Sequence, residues 1–402
     1  MLNSMRSVAE SILRENDRGL YTIPSGRLYP HQWAWDSAFA AVGWAHLDRE
    51  RACLEIETLL AGQWEDGRVP HILFHQDTPD YFPGPVAWGA GGSSSITNPP
   101  VWTLAAEKLL DLGVNKDRLR AWLPALERSH QFLSAHRDPL GWNVIATAHP
   151  WENGQDNCPA WDEPLLAVDP ERAPPFQRVD KGRVEDAAQR PTDLQYKRYM
   201  ALVQAFIENG YQMADFAVYD PFFTTMTILA EQALGRMGEI LGYETEAFQR
   251  AAALRQGLES KLWSEEHGRY GYYDARGELY LYPHTIGSVA PTILGESVQG
   301  YDQIRRSLRS DFATPWGLPS VAPSSPYFDP VCYWRGPSWI NINWLFREVL
   351  GTDFARQTLQ LVRKTGYWEY FHPLTGKGLG ADRFTWTAAL VLDLLHEGEW
   401  NE

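Results

Sequence analysis

The amino-acid sequence predicts an all-α protein whose helices pair off and close into a ring, with long loops carried on one face. Three observations lead there. Roughly a dozen stretches place apolar residues at helical spacing. Strand-like runs are few and short, Tyr270 to Tyr273 and Leu279 to Tyr282 among them. Connections alternate between short and long, as they do when hairpinned helices are joined to the next pair. An open helical solenoid shares these local signals, but its connections are usually short throughout.

Taken from the N-terminus, the periodicity predicts helices over about 3–16, 34–46 and 50–62. A long loop, 64–97, follows, with Gly89-Ala-Gly-Gly-Ser-Ser-Ser95 as a flexible hinge. Asn98-Pro99-Pro100 starts the next helix, Val101, Leu104, Ala105, Leu109 and Leu112 give its apolar stripe, and Gly113 stops it. After a helix near 117–135 comes a second long loop, 152–190, containing Ala173-Pro-Pro-Phe-Gln-Arg-Val-Asp-Lys-Gly182. That charged, proline-bearing stretch predicts an unpacked segment. Structureless connections beyond ~12–15 residues tend to be lids or binding loops, so both read as movable covers over one face.

A helix over 191–209 comes next. Asp220-Pro221 then opens a further one, the Asp as cap and the Pro in the first turn, with Phe223, Met226, Ala230, Ala233, Met237 and Ile240 in register. Helices near 246–262, 338–350, 353–364 and 384–396 complete the set. No linker divides the chain, so residues 1–402 read as one domain.

Composition narrows the function. The net charge of −15 argues against nucleic acid or an anionic membrane as partner. The N-terminus lacks the apolar core of a signal peptide, and no run reaches the ~18 apolar residues of a membrane span. The three cysteines, Cys53, Cys158 and Cys332, have no metal-ligand or disulfide spacing, which suits a reducing, cytoplasmic setting. Neither HExxH nor an EF-hand loop is present, and no cofactor or metal is expected. A homo-oligomer is compatible with everything in the sequence.

Four clusters carry chemistry. His149-Pro-Trp-Glu-Asn-Gly-Gln-Asp-Asn-Cys-Pro-Ala-Trp-Asp162 packs Glu152, Asp156 and Asp162 beside Trp151 and Trp161. Flat aromatic faces cover the C–H patches of a sugar, carboxylates grip its hydroxyls, and one carboxyl group can protonate a glycosidic oxygen. Tyr29-Pro-His-Gln-Trp-Ala-Trp-Asp36 again sets aromatics before an acid; read alone, Asp36 is equally a helix cap and Trp33 and Trp35 core residues. Tyr333-Trp-Arg-Gly-Pro-Ser-Trp339 leads into a helix, with Gly336 able to let backbone approach a ligand. Tyr367 to Gly380 places Glu369 among aromatics, where burial would raise its carboxyl group. Loops at one end of a ring of helical pairs converge on one funnel, which brings the four clusters together.

At these residues the chain resembles glycoside hydrolase family 63, which holds processing α-glucosidase I and bacterial mannosylglycerate and glucosylglycerate hydrolases. It is more distantly similar to trehalases. The matching stretches are Gln32 to Asp36, His149 to Asp162, Tyr333 to Trp339 and Glu369 to Ala388, in the family's order and over nearly the full length. The resemblance implies an (α/α)6 barrel and an inverting glycosidase. It makes Asp156 the general acid and Glu369 the general base. It places Tyr29, Trp33, Asp36, Trp334, Gly336 and Trp339 around the sugar, with Tyr81, Asn98 and Tyr333 completing the substrate-binding set. Gln189-Arg-Pro-Thr-Asp-Leu-Gln-Tyr196 is similar to the part of the glycerate-glycoside hydrolases that holds the glycerate carboxylate, which implies that role for Arg190 and Tyr196. Asn98-Pro99-Pro100 departs from the family's Gln-Pro-Pro, and Cys158 stands where Ser is usual.

The expected substrate is therefore a small anionic glycoside, mannosylglycerate or glucosylglycerate. The alternative is a neutral α-disaccharide such as trehalose. An epimerase on a similar barrel would want a histidine base where these clusters offer carboxylates, and a sugar-binding module would want a flat aromatic surface.

Overall fold

A computed structural model describes residues 2–78 and 80–398; Met1, Pro79 and residues 399–402, which the 1–402 domain assignment includes, lie outside the described residues. Twelve helices build a two-layered ring. The outer layer comprises α1 (Leu2–Asn16), α3 (Arg49–Ala61), α5 (Lys116–His136), α7 (Ala247–Leu262), α9 (Tyr301–Ser310) and α11 (Thr352–Thr365). The inner layer comprises α2 (Ala34–Ala45), α4 (Val101–Asp111), α6 (Pro221–Leu241), α8 (Ile286–Val289), α10 (Ile340–Leu345) and α12 (Thr385–Glu397). Along the chain the two layers alternate strictly. Helix α2 packs on α4, α4 on α6 and α6 on α8, while α10 packs on α12 and α12 closes against α2. This is the (α/α)6 barrel.

Sequence patterning sorts the layers. All twelve residues of α2 are buried, as is α12 from Thr385 to Leu394. Among the described residues of α9, by contrast, only Ile304 and Leu308 are buried. A helix apolar all round must be enclosed, whereas a single stripe needs only one partner. Helix α6 starts as its sequence predicts: Asp220 accepts hydrogen bonds from the amides of Phe222 (2.8 Å) and Phe223 (3.3 Å), and Pro221 takes the first turn.

Three expectations need correction. The span 338–350 is two short helices, α10 and Arg347–Leu350, meeting at Phe346. Helix α9 carried too few apolar positions to be read from the sequence. The two long segments are also more built than expected. The serines of the supposed hinge are buried, Ser94 Oγ lying 2.6 Å from His71 Nδ1 and Ser93 bridging Leu73. The 152–190 segment holds a helix, Asp162–Leu166, and three 3-10 turns after it. Within 173–182, Phe176 stacks on Phe82 at 5.3 Å, and Arg178 and Asp180 are held in ion pairs. Buried ion pairing and one aromatic stack thus overrode the polar composition.

These segments and the extra helix Asp193–Glu208 cover one end of the barrel over a second apolar cluster that includes Trp88, Trp151, Trp161, Tyr199 and Phe206. Short antiparallel strand pairs fix their roots. Gln32–Trp33 pairs with Ile72–Leu73, and Tyr370–Phe371 pairs with Gly378–Leu379.

Candidate active site

The covered end of the barrel encloses a cavity that receives a residue from each of the four clusters: Tyr29, Asp36, Asp156, Trp334 and Glu369 all line it. Its walls are largely aromatic, with Trp33, Trp35, Trp151 and Trp386 among them. Such a chamber presents ring faces to the C–H side of a sugar and a few aimed polar groups to its hydroxyls.

Asp156 is presented by a short loop. Helix Pro150–Asn153 is capped by His149, whose Nδ1 accepts from the Trp151 amide at 3.0 Å, and it ends at Gly154 with φ of 80°. A side chain at Gly154 would be strained by that φ and would press on the Trp35 ring, 2.7 Å away. The Tyr199 hydroxyl then donates to the Asp156 carbonyl at 2.7 Å, and Asn157 Oδ1 accepts from the Trp334 amide at 2.8 Å. The carboxyl group is left facing the cavity. Burial, opposed by Arg190 and reinforced by the charge of Glu369, pushes Asp156 up to about 7. Half or more of such a group carries its proton below that pH.

Glu369 is 1% exposed and sits immediately before the Tyr370–Phe371 strand. Its Oε1 accepts from the hydroxyls of Tyr29 (2.7 Å) and Tyr333 (3.2 Å), and its Oε2 from the amide of Ala381 (3.1 Å). Arg190 Nη1 stands 3.8 Å from Oε1. Gly380, φ 74°, passes so close to Oε2 that no side chain fits there. Burial raises the carboxyl group, as its aromatic setting predicts, while Arg190 and the three hydrogen bonds pull it back down. The result is a carboxylate enclosed yet paired.

Arg190 donates to the Tyr29 hydroxyl at 2.9 Å and lies 4.3 Å over the ring of Tyr333. It is buried in the wall. Asp36 is buried in the first turn of α2 and accordingly raised, by burial first and by Glu369 second. It faces the cavity and does not cap α2, whose N-cap, Trp33, makes no side-chain cap bond. Trp33, Tyr81, Asn98, Tyr196, Tyr333 and Trp334 also line the cavity.

Other expected residues stand elsewhere. Trp339 is stacked behind the wall, 3.9 Å from Trp334 and 4.5 Å from Tyr370. Gly336 lies off the cavity, and the backbone it brings close is that of Asp329. Of the three acids in the fourteen-residue cluster only Asp156 lines the cavity. Glu152 is fully buried and ion-paired with Arg137 (2.7 Å), and Asp162 pairs with Arg335 (2.7 Å). An acid between aromatics can brace a loop as readily as serve a ligand.

Residues unforeseen from the sequence also reach the cavity: His71, Phe82, Asp180 and Arg183. Ser94 Oγ accepts from the Ile72 amide at 3.0 Å and lies 2.6 Å from His71 Nδ1. Burial lowers the imidazole well below its usual value, which keeps it neutral. No periodicity or spacing in the sequence marks His71, because its role depends on a strand pairing. Among the described residues no group of three or more His, Cys, Asp or Glu is arranged to hold a metal ion, and no helix is long and apolar enough to cross a membrane.

Comparison with known proteins places this site in a family. Residues 29–387 match the mannosylglycerate hydrolase MGH1-like glycoside hydrolase domain. A mannosylglycerate hydrolase of Thermus thermophilus is 38% identical over 417 residues, spanning 96% of this chain and 99% of its own. A glucosylglycerate hydrolase of Mycolicibacterium hassiacum is 33% identical, spanning 96% of each. The crystal structure of the family 63 mannosylglycerate hydrolase from Thermus thermophilus in complex with Tris and D-glycerate superimposes with a TM-score of 0.92 at 36% identity, covering 96% of this chain and 99% of that one. The neutral trehalase of Saccharomyces cerevisiae shares the fold alone, at 13% identity and a TM-score of 0.61. The chain is thus a glycoside hydrolase, a member of family 63 in its mannosylglycerate hydrolase MGH1-like group.

Proposed function

We propose that this enzyme hydrolyses the α-glycosidic bond of mannosylglycerate or glucosylglycerate with inversion, releasing a hexose and glycerate. One observation carries the reading: Asp156, Glu369 and Arg190 face the same aromatic-walled cavity. The relatives named above supply the substrate class.

The division of labour follows from the environments. Asp156, raised to about 7, holds a proton near neutrality and gives it to the glycosidic oxygen as the C1–O bond breaks. Glu369 is raised overall by burial, while Arg190, Tyr29, Tyr333 and the Ala381 amide favour its charged form, and as the carboxylate it takes a proton from water as the water oxygen bonds to C1 from the opposite face. Asp156 is left charged and Glu369 protonated, and exchange with solvent resets both. Arg190 meets the glycerate carboxylate, with Tyr81 and Tyr196 on the same wall. Asp36 and His71 serve hexose hydroxyls. The two long segments act as covers that exclude water.

The test is a screen of mannosylglycerate, glucosylglycerate, trehalose, kojibiose and nigerose for hexose release. Cleavage of a glycerate glycoside, with the neutral disaccharides slow, is expected. Faster cleavage of a neutral disaccharide would overturn the substrate assignment.

A further inference from the structure

The charged groups at the cavity wall form an alternating chain. Arg178 grips Asp180 through two hydrogen bonds, Nε to Oδ1 at 2.9 Å and Nη2 to Oδ2 at 2.6 Å. Asp180 Oδ2 also accepts from Arg190 Nε at 3.3 Å. Arg190 continues to the Tyr29 hydroxyl and stands beside Glu369. Arg178 is itself fixed, donating to the Pro191 carbonyl at 2.7 Å and lying 4.4 Å over the Tyr196 ring. Asp180 therefore cannot leave Arg190 without breaking the grip of Arg178. It lines the cavity, its side chain 14% exposed, and no step of the hydrolysis uses it.

A carboxylate arriving at Arg190 meets a guanidinium that already has a counterion. After hydrolysis the released acid still carries its charge. Without Asp180, Arg178 and Arg190 would keep Asp193 (3.1 Å) and Glu369 (3.8 Å) beside them but lose the anion they share, and would hold that product more tightly. We propose that Asp180 is a positioning residue that shares Arg190 with the ligand's carboxylate, fixing the guanidinium in the wall and limiting how tightly the anionic product is held. This rests on Arg190 being the carboxylate site.

The same charge acts on the reacting pair. Besides Arg178 and Arg190, Asp180 faces Tyr196 on the Asp193–Glu208 helix, Tyr81 on the first long segment and Asp156. Lys181 is turned away to Asp193, 2.6 Å distant. Asp180 helps raise Asp156. Its neutralisation therefore lowers Asp156.

Asp180→Asn removes the charge and keeps the shape. In the full-length enzyme, titration calorimetry with D-glycerate is expected to show about tenfold tighter binding in this variant, since a buried like charge is removed. The basic limb of kcat/KM for the glycerate glycoside is expected to move to lower pH, because Asp156 loses a neighbouring charge that raises it. Asp180→Glu keeps the charge and stays within about threefold of the wild-type affinity. A purely structural role would weaken glycerate binding instead, so unchanged or weaker binding in Asp180→Asn overturns the proposal. If that variant does not fold, Arg178→Gln decides: Asp180, freed from its clamp, turns fully to Arg190 and glycerate must bind more weakly, and unchanged affinity overturns the proposal. A wild-type enzyme that binds glycerate but cleaves neither glycerate glycoside sinks the proposed substrate and leaves the titration to judge Asp180. No glycerate binding at all overturns both.

Discussion

The Tyr29 hydroxyl donates to Glu369 Oε1 at 2.7 Å, and the same hydroxyl accepts from Arg190 at 2.9 Å. The phenol thus relays the arginine's charge to the carboxylate. Tyr29→Phe removes a hydrogen bond that holds Glu369 down, so its carboxyl group rises. The acidic limb of kcat/KM should move to higher pH, with kcat near the optimum lowered by about tenfold. A limb that stays in place would show that the bond does not tune the base.

The two acids should fail differently. Asp156→Asn is expected to cost about 10²- to 10⁴-fold in hydrolysis of a glycerate glycoside. It should cost far less with a glycosyl fluoride, whose leaving group needs little protonation. Glu369→Gln should be as damaging with either substrate. Steady-state rates on both substrates check this, and equal losses for Asp156→Asn on the two would contradict its role as acid.

The elevated carboxyl group of Asp156 fixes a pH window for activity. The acid works while protonated, so the rate should fall as pH rises through about 7. Stability carries the same sign. A carboxyl group raised on folding binds its proton more tightly in the folded chain, so it costs stability once pH passes its ordinary value near 4, and the full cost is present above about 7. Asp156→Asn should therefore raise the melting temperature at pH 8 and have little effect at pH 4, as scanning calorimetry can show.

Arg190→Ala tests the anionic substrate. Charged hydrogen bonds are worth about 1.5–3 kcal/mol, so KM for a glycerate glycoside should rise roughly ten- to a hundredfold. A neutral α-glucoside should show little change in KM. Its acidic limb should still rise, because Glu369 loses the charge that lowers it most.

Glu152 shows where sequence and structure part. The fourteen-residue cluster contributes Asp156 and Trp151 to the cavity wall. Its other acids are indistinguishable on paper, yet Glu152 is 0% exposed and braces the loop through Arg137, the Ala148 amide and the Thr97 amide. Removing one partner of a buried ion pair costs about 3–5 kcal/mol, so Glu152→Ala should lower stability by that order, measured by denaturant melts. Helix periodicity made the ring legible because inner and outer layers differ in how much of each helix is apolar. Helix α9 escaped because its apolar stripe is two residues wide. His71 and Asp180 escaped because their roles depend on partners far along the chain or on ion pairing, neither of which leaves a local pattern.

The central claim is that Asp156 and Glu369 act from opposite faces of one hexose. Proton NMR of the first hexose released from mannosylglycerate or glucosylglycerate, recorded before mutarotation, tests it most directly. The β-anomer should appear first; an α-anomer appearing first would contradict the assignment of Glu369 as a base acting through water.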